Sequence, residues 1–534
     1  MTTFLYDLRH AARAFRHHPG FLAVVVLTLG LGIGINTATF SIVNAVLIRP
    51  LAFDQPERLV ALQERLAGSD LENAPFSPPD FVDVQREQQS FDGIAAYVQR
   101  PAELSGSGAP VRLDVSKVSS NLFDVLGIQP LLGRSFTSQE DRPGVDVAVL
   151  SYGLWQTRFG SDRAIVGRAI TLDRRPYTVV GVMPPGFEFP LRGRGFNGMP
   201  AAAWVPMGFT ERQLQARGNE FNHGVVGRLE AGTSIDEARA ELDVLAGRVN
   251  ERYPPVLQNA RFSIGFVAMP LREESSGPMQ RPLLLLLGAV GLVLLVTCAN
   301  VANLVLSRAA SRSHELALRT ALGSTRGRLL QLLLAEGAIL SIAGGIVGVL
   351  LSQAIVAAVP AVVTETLPAA QDIAVDVRVL GFTVAISILT SILFAVIPMF
   401  GIDRRGPGST LQEEASRTTP GLRRHRLQAG LVVSTVTFAF VLLIGAGLFI
   451  RSFSALVATD GGFNPDRVLT ASVTLPREGY STAPAVRAFH ESLFRRASSL
   501  PGVHSAALVT DLPLERYERQ VNRSCGGSQT RIHQ

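Results

Sequence analysis

The residue patterns that come nearest to catalytic motifs in this sequence are all incomplete. A zinc-protease site needs H-E-x-x-H, two histidines one helical turn apart with a glutamate base between them, but residues 314–318 and 490–494 both lack the second histidine. A P-loop needs G-x-x-x-x-G-K-[ST], because its lysine must reach the terminal phosphates. The only lysine among the 50 basic residues, Lys117, is followed by Val118. We therefore predict no catalytic residue, no metal site and no bound cofactor in this sequence.

The elements that would position any functional residue are dominated by five long uncharged stretches. Apolar residues make up 47% of the chain and charged residues only 18%, below the roughly 25% of an ordinary soluble protein. Each stretch exceeds the roughly 20 residues that cross a hydrocarbon core. The third uncharged stretch covers 337–364. The span predicted from it begins a few residues earlier and covers 331–360. The five predicted spans are 19–48, 282–307, 331–360, 379–402 and 427–450.

Arginine in the flanking segments predicts the orientation of these spans. Arginines are concentrated in 1–18, 308–330 and 403–426, whereas the turn after the third span holds three acids before Arg378. Because short basic flanks stay in the cytoplasm, those three segments are predicted to be cytoplasmic, with the N-terminus inside. The segments predicted to lie outside are 49–281 and 451–534.

Residues 1–18 carry apolar side chains at helical spacing, with charged residues elsewhere around the helix. This pattern is typical of a helix that lies along the membrane surface. It is equally typical of an amphipathic start that continues into the first span, and the sequence does not separate the two.

The outer segment 49–281 has the alternating texture of an α+β domain. Residues 111–118 and 177–183 have β-branched strand character, and 173–176 is predicted to be the turn before the second of them. Ser234 can cap a helix over 235–249 with one apolar face. The fold class is therefore a five-span helical membrane bundle with a large α+β extracytoplasmic domain.

An internal repeat predicts that this architecture starts a second time. The pattern over 16–60, a basic flank, a span and a P-[ED]-R sequence, recurs over 424–469. One unit would be a span, an outer domain and three further spans. We expect 451–534 to be the start of a second outer domain that is truncated.

Polar and small residues inside the spans predict contacts between helices. Two asparagine pairs could hydrogen-bond across helices or line a pathway, and two G-x-x-x-G pairs allow close backbone approach. These residues are Asn36 with Asn44, Asn300 with Asn303, Gly30 with Gly34, and Gly344 with Gly348. Interhelical packing is the favoured interpretation.

Several strings together resemble a known family. They are NVANL at 300–304, the E-x-x-x-R-x-x-x-G-S-x-R run at 315–326, LGRxF at 132–136, VAVLSYGLW at 147–155 and YTVVGVMPPGF at 177–187. On these residues the sequence resembles the FtsX-like, MacB-like permeases of ABC transporters. The doubled arrangement is similar to the duplicated orphan permease (ADOP) subgroup.

The resemblance implies a multi-pass protein of the bacterial inner (plasma) membrane whose segment 49–281 is a MacB-like periplasmic core domain. It implies a separate ABC ATPase subunit that uses ATP and docks on the coupling loop 308–330, while 403–426 is a cytoplasmic linker. It also implies a second permease copy and envelope components as partners. It implies no nucleic-acid partner. The positions that match the ATPase-coupling motif are Glu315, Leu316, Arg319, Leu322, Gly323 and Arg326.

The sequence is compatible with two functions from different classes. The first is a permease subunit that converts ATP hydrolysis by a partner into motion of the outer domain, for efflux or extraction of a substrate. The second is a membrane-anchored sensor or scaffold that binds an envelope ligand without transport. Copurification of an ATPase favours the first, and its absence favours the second.

Overall fold

The structure is a computed structural model that divides into two compact units. The membrane unit comprises Met1–Arg49 with Pro278–Thr459, and the ectodomain unit comprises Pro50–Gly277 with Asp460–Gln534. The residues described are 13, 19–49, 51–67, 73–106, 108–191, 200–255, 263–311, 326–363, 375–401, 422–458, 468–471, 473, 475, 480 and 482–509. The described residues therefore leave out most of the predicted segments 1–18 and 403–426. They also leave out 312–325 of the predicted coupling loop.

Ten strands of the ectodomain unit form one mixed sheet. They are β1 Leu59–Ala67, β2 Phe91–Ser105, β3 Val111–Val118, β4 Leu132–Gly133, β5 Val147–Leu150, β6 Ala169–Leu172, β7 Arg175–Val182, β8 Ala203–Pro206, β9 Gly224–Leu229 and β10 Ser263–Pro270. Their order is β10-β1-β9-β2-β3-β8-β5-β7-β4, with β6 pairing to β2 and β7. Only β3 with β8 and β5 with β7 run parallel among the paired strands described.

Both predicted strands are present, and the turn between β6 and β7 is shorter than predicted. β3 has the predicted bounds, and β7 begins two residues before the predicted start. Asp173 and Arg174 alone form the turn, each with positive φ, 48° and 66°. A two-residue hairpin turn of this kind needs φ > 0 at both positions, so Arg175 and Pro176 already belong to the strand.

Short helices cover parts of this sheet. They are α2 Pro78–Glu87, α3 Leu122–Leu126, α4 Tyr152–Phe159, α5 Glu211–Gln215 and α6 Ile235–Glu251. The predicted cap of α6 is confirmed: Ser234 accepts a hydrogen bond from the Glu237 amide, and Glu237 bonds back to Ser234. Leu242 and Leu245 are among the buried residues of α6 and pack into the apolar core shared with β1, β9 and β10. A last described helix, α11, covers Ala483–Ser498.

Five long helices carry the apolar stretches, which confirms the predicted fold class. They are α1 Pro19–Val43, extended by a wider turn over Asn44–Ile48, then α7 Leu271–Ser311, α8 Arg326–Val363, α9 Val377–Gly401 and α10 Leu422–Val457. Their candidate membrane spans are Pro19–Ile48, Met279–Arg308, Leu333–Ala358, Val377–Phe394 and Gln428–Ala455. Helices α7, α8 and α10 extend well beyond their uncharged stretches. The backbone hydrogen bonds of a helix do not require apolar side chains, so the helix can continue into charged sequence.

Candidate functional sites in the two units

The predicted ATPase-coupling residues lie almost entirely outside the described part of the chain. Glu315, Leu316, Arg319, Leu322 and Gly323 fall within 312–325. The sixth position begins helix α8, whose bounds are Arg326–Val363. The role of these residues therefore stays a prediction.

Glycines bring helices α1 and α8 into backbone contact within the membrane unit. A Cβ atom added to Gly34 would lie 3.0 Å from the carbonyl oxygen of Gly348, and one added to Gly348 would lie 2.9 Å from the Cγ2 atom of Ile33. A Cβ on Gly344 would lie 3.6 Å from the amide nitrogen of Gly30. Both predicted G-x-x-x-G pairs thus face each other inside one chain, and close approach of this kind stabilises helix pairs in a lipid solvent.

Hydrogen bonds from polar side chains join α1 and α8 to other span helices. The bonds are Asn36 Nδ2 to the carbonyl oxygen of Val290, 3.0 Å; Thr37 Oγ1 with Thr383 Oγ1, 3.0 Å; and Ser341 Oγ with Thr390 Oγ1, 3.2 Å. Asn44 donates to Asp376 directly before α9, at 2.8 Å. The expected interhelical use is confirmed for Asn36.

The second predicted asparagine pair makes no such bond among the residues described. Asn300 is exposed, and the buried Oδ1 atom of Asn303 has no hydrogen-bond partner there. The interhelical use of this pair therefore stays a prediction. The spacing of two residues along a helix predicts which face they share, but it does not predict which hydrogen-bond acceptors lie opposite that face.

A buried charged cluster lies in the ectodomain unit, centred on Asp80 of α2. Asp80 is fully buried and accepts three side-chain hydrogen bonds, from Ser77 Oγ at 2.6 Å, Tyr253 Oη at 2.5 Å and Arg217 Nη1 at 2.9 Å. Burial raises the pKa of Asp80, and the three donors oppose that rise. Burial also raises the pKa of Tyr253, so the phenol keeps the proton that it donates.

Asp83, one turn further along α2, extends the cluster to a second arginine. Arg217 bridges to Asp83 as well as to Asp80. Arg252 binds Asp83 at 2.8 Å and also pairs with Glu87 at the end of α2. Two guanidinium groups thus fix α2 to the loop after α5 and to the end of α6. Paired buried charges of this kind are costly to break, because the remaining partner stays buried and unpaired.

Two buried titratable groups adjoin this cluster. Glu64 on β1 accepts a hydrogen bond from the Ser77 amide at 2.9 Å, and burial, together with the charge of Asp80, raises its pKa well above the usual value. Burial lowers the pKa of His223 to about 4. Glu64 Oε2 and His223 Nδ1 have no hydrogen-bond partner in the described structure. His223 is therefore neutral near pH 7, and desolvation favours the neutral form of Glu64 as well.

The cluster has the chemistry of a structural tie. Its members are acids, arginines, a phenol and the Ser77 hydroxyl, and Ser77 donates to the Asp80 carboxylate and not to a histidine base. Within the described residues, no group of three or more His, Cys, Asp or Glu side chains is arranged to hold a metal ion.

Five span-length helices with an α+β ectodomain built on one mixed sheet define a multi-pass membrane protein with a folded ectodomain. Residues 22–245 match the family model of the MacB-like periplasmic core domain, and residues 287–405 match that of the FtsX-like permease C-terminal domain. Together the two models match more than half of the chain. The chain belongs to the MacB-like and FtsX-like ABC transporter permeases.

Similar proteins are about a quarter identical to this chain over the segments that align. The macrolide export ATP-binding/permease protein MacB of Chromobacterium violaceum is 26% identical over 64% of this chain and 49% of its own length. MacB of Sodalis glossinidius is 24% identical over 52% of this chain and 40% of its own. The chain spans about half the length of the curated relatives it matches, or less. The periplasmic region of MacB from Actinobacillus actinomycetemcomitans aligns at 12% identity and TM-score 0.30, over 42% of this chain and 94% of that one, too weakly to carry an argument.

Proposed function

We propose that this chain is the permease subunit of an ABC-type assembly and couples ATP hydrolysis to motion of its extracytoplasmic domain, for efflux or extraction of a substrate. The observation that carries the proposal is the order of two family matches along one chain, a periplasmic core domain over 22–245 followed by an FtsX-like permease domain over 287–405. These 534 residues contain no P-loop motif, which supports an ATPase encoded outside them.

Continuity between strand β10 and helix α7 supports the coupling step. β10 ends at Pro270 and α7 begins at Leu271. The helix then runs without interruption to Ser311 and includes the second candidate span. A strand of the ectodomain sheet is therefore followed directly along the chain by the helix that includes the second candidate span, with no loop between the two elements.

Reversing the charge of Arg319 is expected to weaken ATPase docking. In the proposed coupling loop Arg319 presents a positive charge to the partner, and Arg319→Glu would present an acid to the same surface. The amount of ABC ATPase that copurifies with the chain from native membranes, quantified by mass spectrometry, should fall about tenfold or more. Arg417→Glu, in the predicted cytoplasmic linker, is the matched control and should leave copurification unchanged.

Equal copurification with the Arg319→Glu variant and the unaltered chain would contradict the coupling assignment. If no ABC ATPase copurifies with the unaltered chain under conditions that retain other membrane partners, the proposed function fails. The sensor or scaffold function would then be the better account.

The proposed orientation places the ectodomain outside the cytoplasmic membrane. In a background where Cys298 and Cys525 are replaced by alanine, a Gln139→Cys variant should react with a membrane-impermeant thiol reagent in spheroplasts. A Ser324→Cys variant should react only after the membrane is permeabilised. Gln139 is exposed in the ectodomain unit, so a lack of labelling there reports topology and not burial. The reverse pattern would overturn the orientation.

A further inference from the structure

A basic cleft in the ectodomain unit has no part in the proposed coupling. It has a volume of about 230 Å³, below the roughly 300–1,000 Å³ of pockets that enclose drug-sized molecules. Four cationic residues from four separate segments line it: Arg100 on β2, Lys117 on β3, Arg175 on β7 and Arg142 in the loop before β5. Lys117 is the only lysine of the chain.

The lining of the cleft holds more basic than acidic residues. Two carboxylates line it, Asp146 and Asp173, against four cations. Asp173 binds Arg100 at 2.6 Å and accepts the Glu103 amide at 2.8 Å, so its carboxylate is held at the β6–β7 turn. Converging cations in a concave, partly desolvated site attract anions more strongly than the same charges on an open surface.

Hydrogen bonds to backbone amides hold the loop that carries Arg142 in place. Asp141 accepts the Ser120 amide at 2.9 Å and the Gly208 amide at 2.8 Å, which ties two loops together. Gly208 has φ of 53°, and a Cβ atom there would lie 2.9 Å from the carbonyl oxygen of Arg142. Glycine is therefore required for this approach. The cleft is preorganised, which lowers the entropic cost of binding.

Neutral hydroxyl groups complete the lining. Tyr177 is largely buried beside the cations, and burial raises the pKa of its phenol, so it retains a proton to donate. Thr210 also lines the cleft, with its hydroxyl bonded to Gln213 Oε1 at 3.0 Å. Guanidinium forks, an ammonium group and the Tyr177 hydroxyl are donors of the kind that bind tetrahedral oxyanions.

We infer that this cleft binds a phosphate-sized oxyanion group, either free or as the phosphoryl group of a lipid headgroup. The inference does not depend on the coupling function, since all the residues that carry it lie in the ectodomain unit. A small volume, cationic residues from four segments and a glycine-dependent wall distinguish the cleft from isolated surface arginines.

Titration of the full chain in dodecyl maltoside, a detergent without phosphate, tests this inference. Inorganic phosphate and water-soluble dihexanoyl phosphatidylglycerol are added separately in isothermal titration calorimetry at constant ionic strength, with chloride as the background anion. We expect saturable binding in at least one arm, and the arm with the tighter binding identifies the source of the oxyanion. The absence of saturable binding in both arms would overturn the inference.

Variants separate this site from general attraction of anions to a basic protein. Lys117→Gln combined with Arg142→Gln should weaken binding about tenfold or more, because two charge-assisted contacts are removed. Lys117→Arg should retain binding, and Arg163→Gln, at an exposed arginine outside the cleft, should not change it. Tryptophan fluorescence monitors folding of every variant, since Trp155 and Trp204 both lie in the ectodomain. Equal affinity of the double variant and the Arg163 control would overturn the inference.

Discussion

Replacing Gly348 by leucine is expected to force helices α1 and α8 apart and to destabilise the membrane unit by about 1–3 kcal/mol or more, the usual cost of overpacking a well-packed interface. The expected size follows from the contacts, since even a Cβ atom at Gly348 would lie 2.9 Å from Ile33 Cγ2 and 3.1 Å from the Gly34 amide nitrogen. Most of the obstruction on α1 is backbone or a β-branched side chain, which cannot turn aside. The measurement is the loss of helical circular dichroism on titration from a mild detergent into sodium dodecyl sulfate.

Gly288→Leu is the matched control for this substitution. Gly288 lies in the candidate span of α7, and a Cβ atom there would meet no atom within 4 Å. Leucine has the higher helix propensity, so the control should unfold no earlier than the unaltered chain. Equal stability of the Gly348 and Gly288 variants would show that α1 and α8 do not pack through their glycines.

The sequence predicted those features of the fold that local patterns determine. Charge-free length predicted the five spans, β-branched runs predicted β3 and β7, and Ser234 before an apolar helical face predicted the start of α6. Each of these signals acts within one turn, one strand or one span. The G-x-x-x-G pairs also predicted close packing, although the identity of the partner helix required the structure.

Features that join distant segments were not predictable. Arg217 meets Asp80 across 137 positions of sequence, and nothing in the neighbourhood of either residue indicates the other. The basic cleft gathers Arg100, Lys117 and Arg142 from separate strands and a loop, and on the sequence each is an isolated charge. The one unusual signal was the single lysine, which excluded a P-loop but did not indicate a binding cleft.

The tie between α2 and the rest of the ectodomain depends most strongly on Arg217. Its guanidinium bonds both Asp80 and Asp83, whose side chains are 0% and 7% exposed, and it lies 6.0 Å over the ring of Tyr253. Arg217→Met keeps the aliphatic stem and removes the charge. We expect the ectodomain to lose about 3–5 kcal/mol of unfolding free energy, the usual cost of leaving a buried charge without its partner.

Fluorescence of Trp155 and Trp204 during urea unfolding of the full chain reports this loss, because the only two tryptophans of the protein lie in the ectodomain. Arg212→Met, at an exposed arginine on α5, controls for the general effect of removing an arginine and should shift the midpoint little.

Removing the charge of Asp80 distinguishes an unpaired buried charge from a simple loss of packing. In the double variant Arg217→Met, Asp80→Asn, the amide still accepts hydrogen bonds from Ser77 and Tyr253 but no longer carries a negative charge into the interior. Much of the lost stability should therefore return, because a neutral hydrogen-bonded group costs far less to bury than an unpaired carboxylate. If the double variant is less stable than Arg217→Met alone, Arg217 acts mainly through its packing on Tyr253, and the electrostatic account of the cluster is wrong.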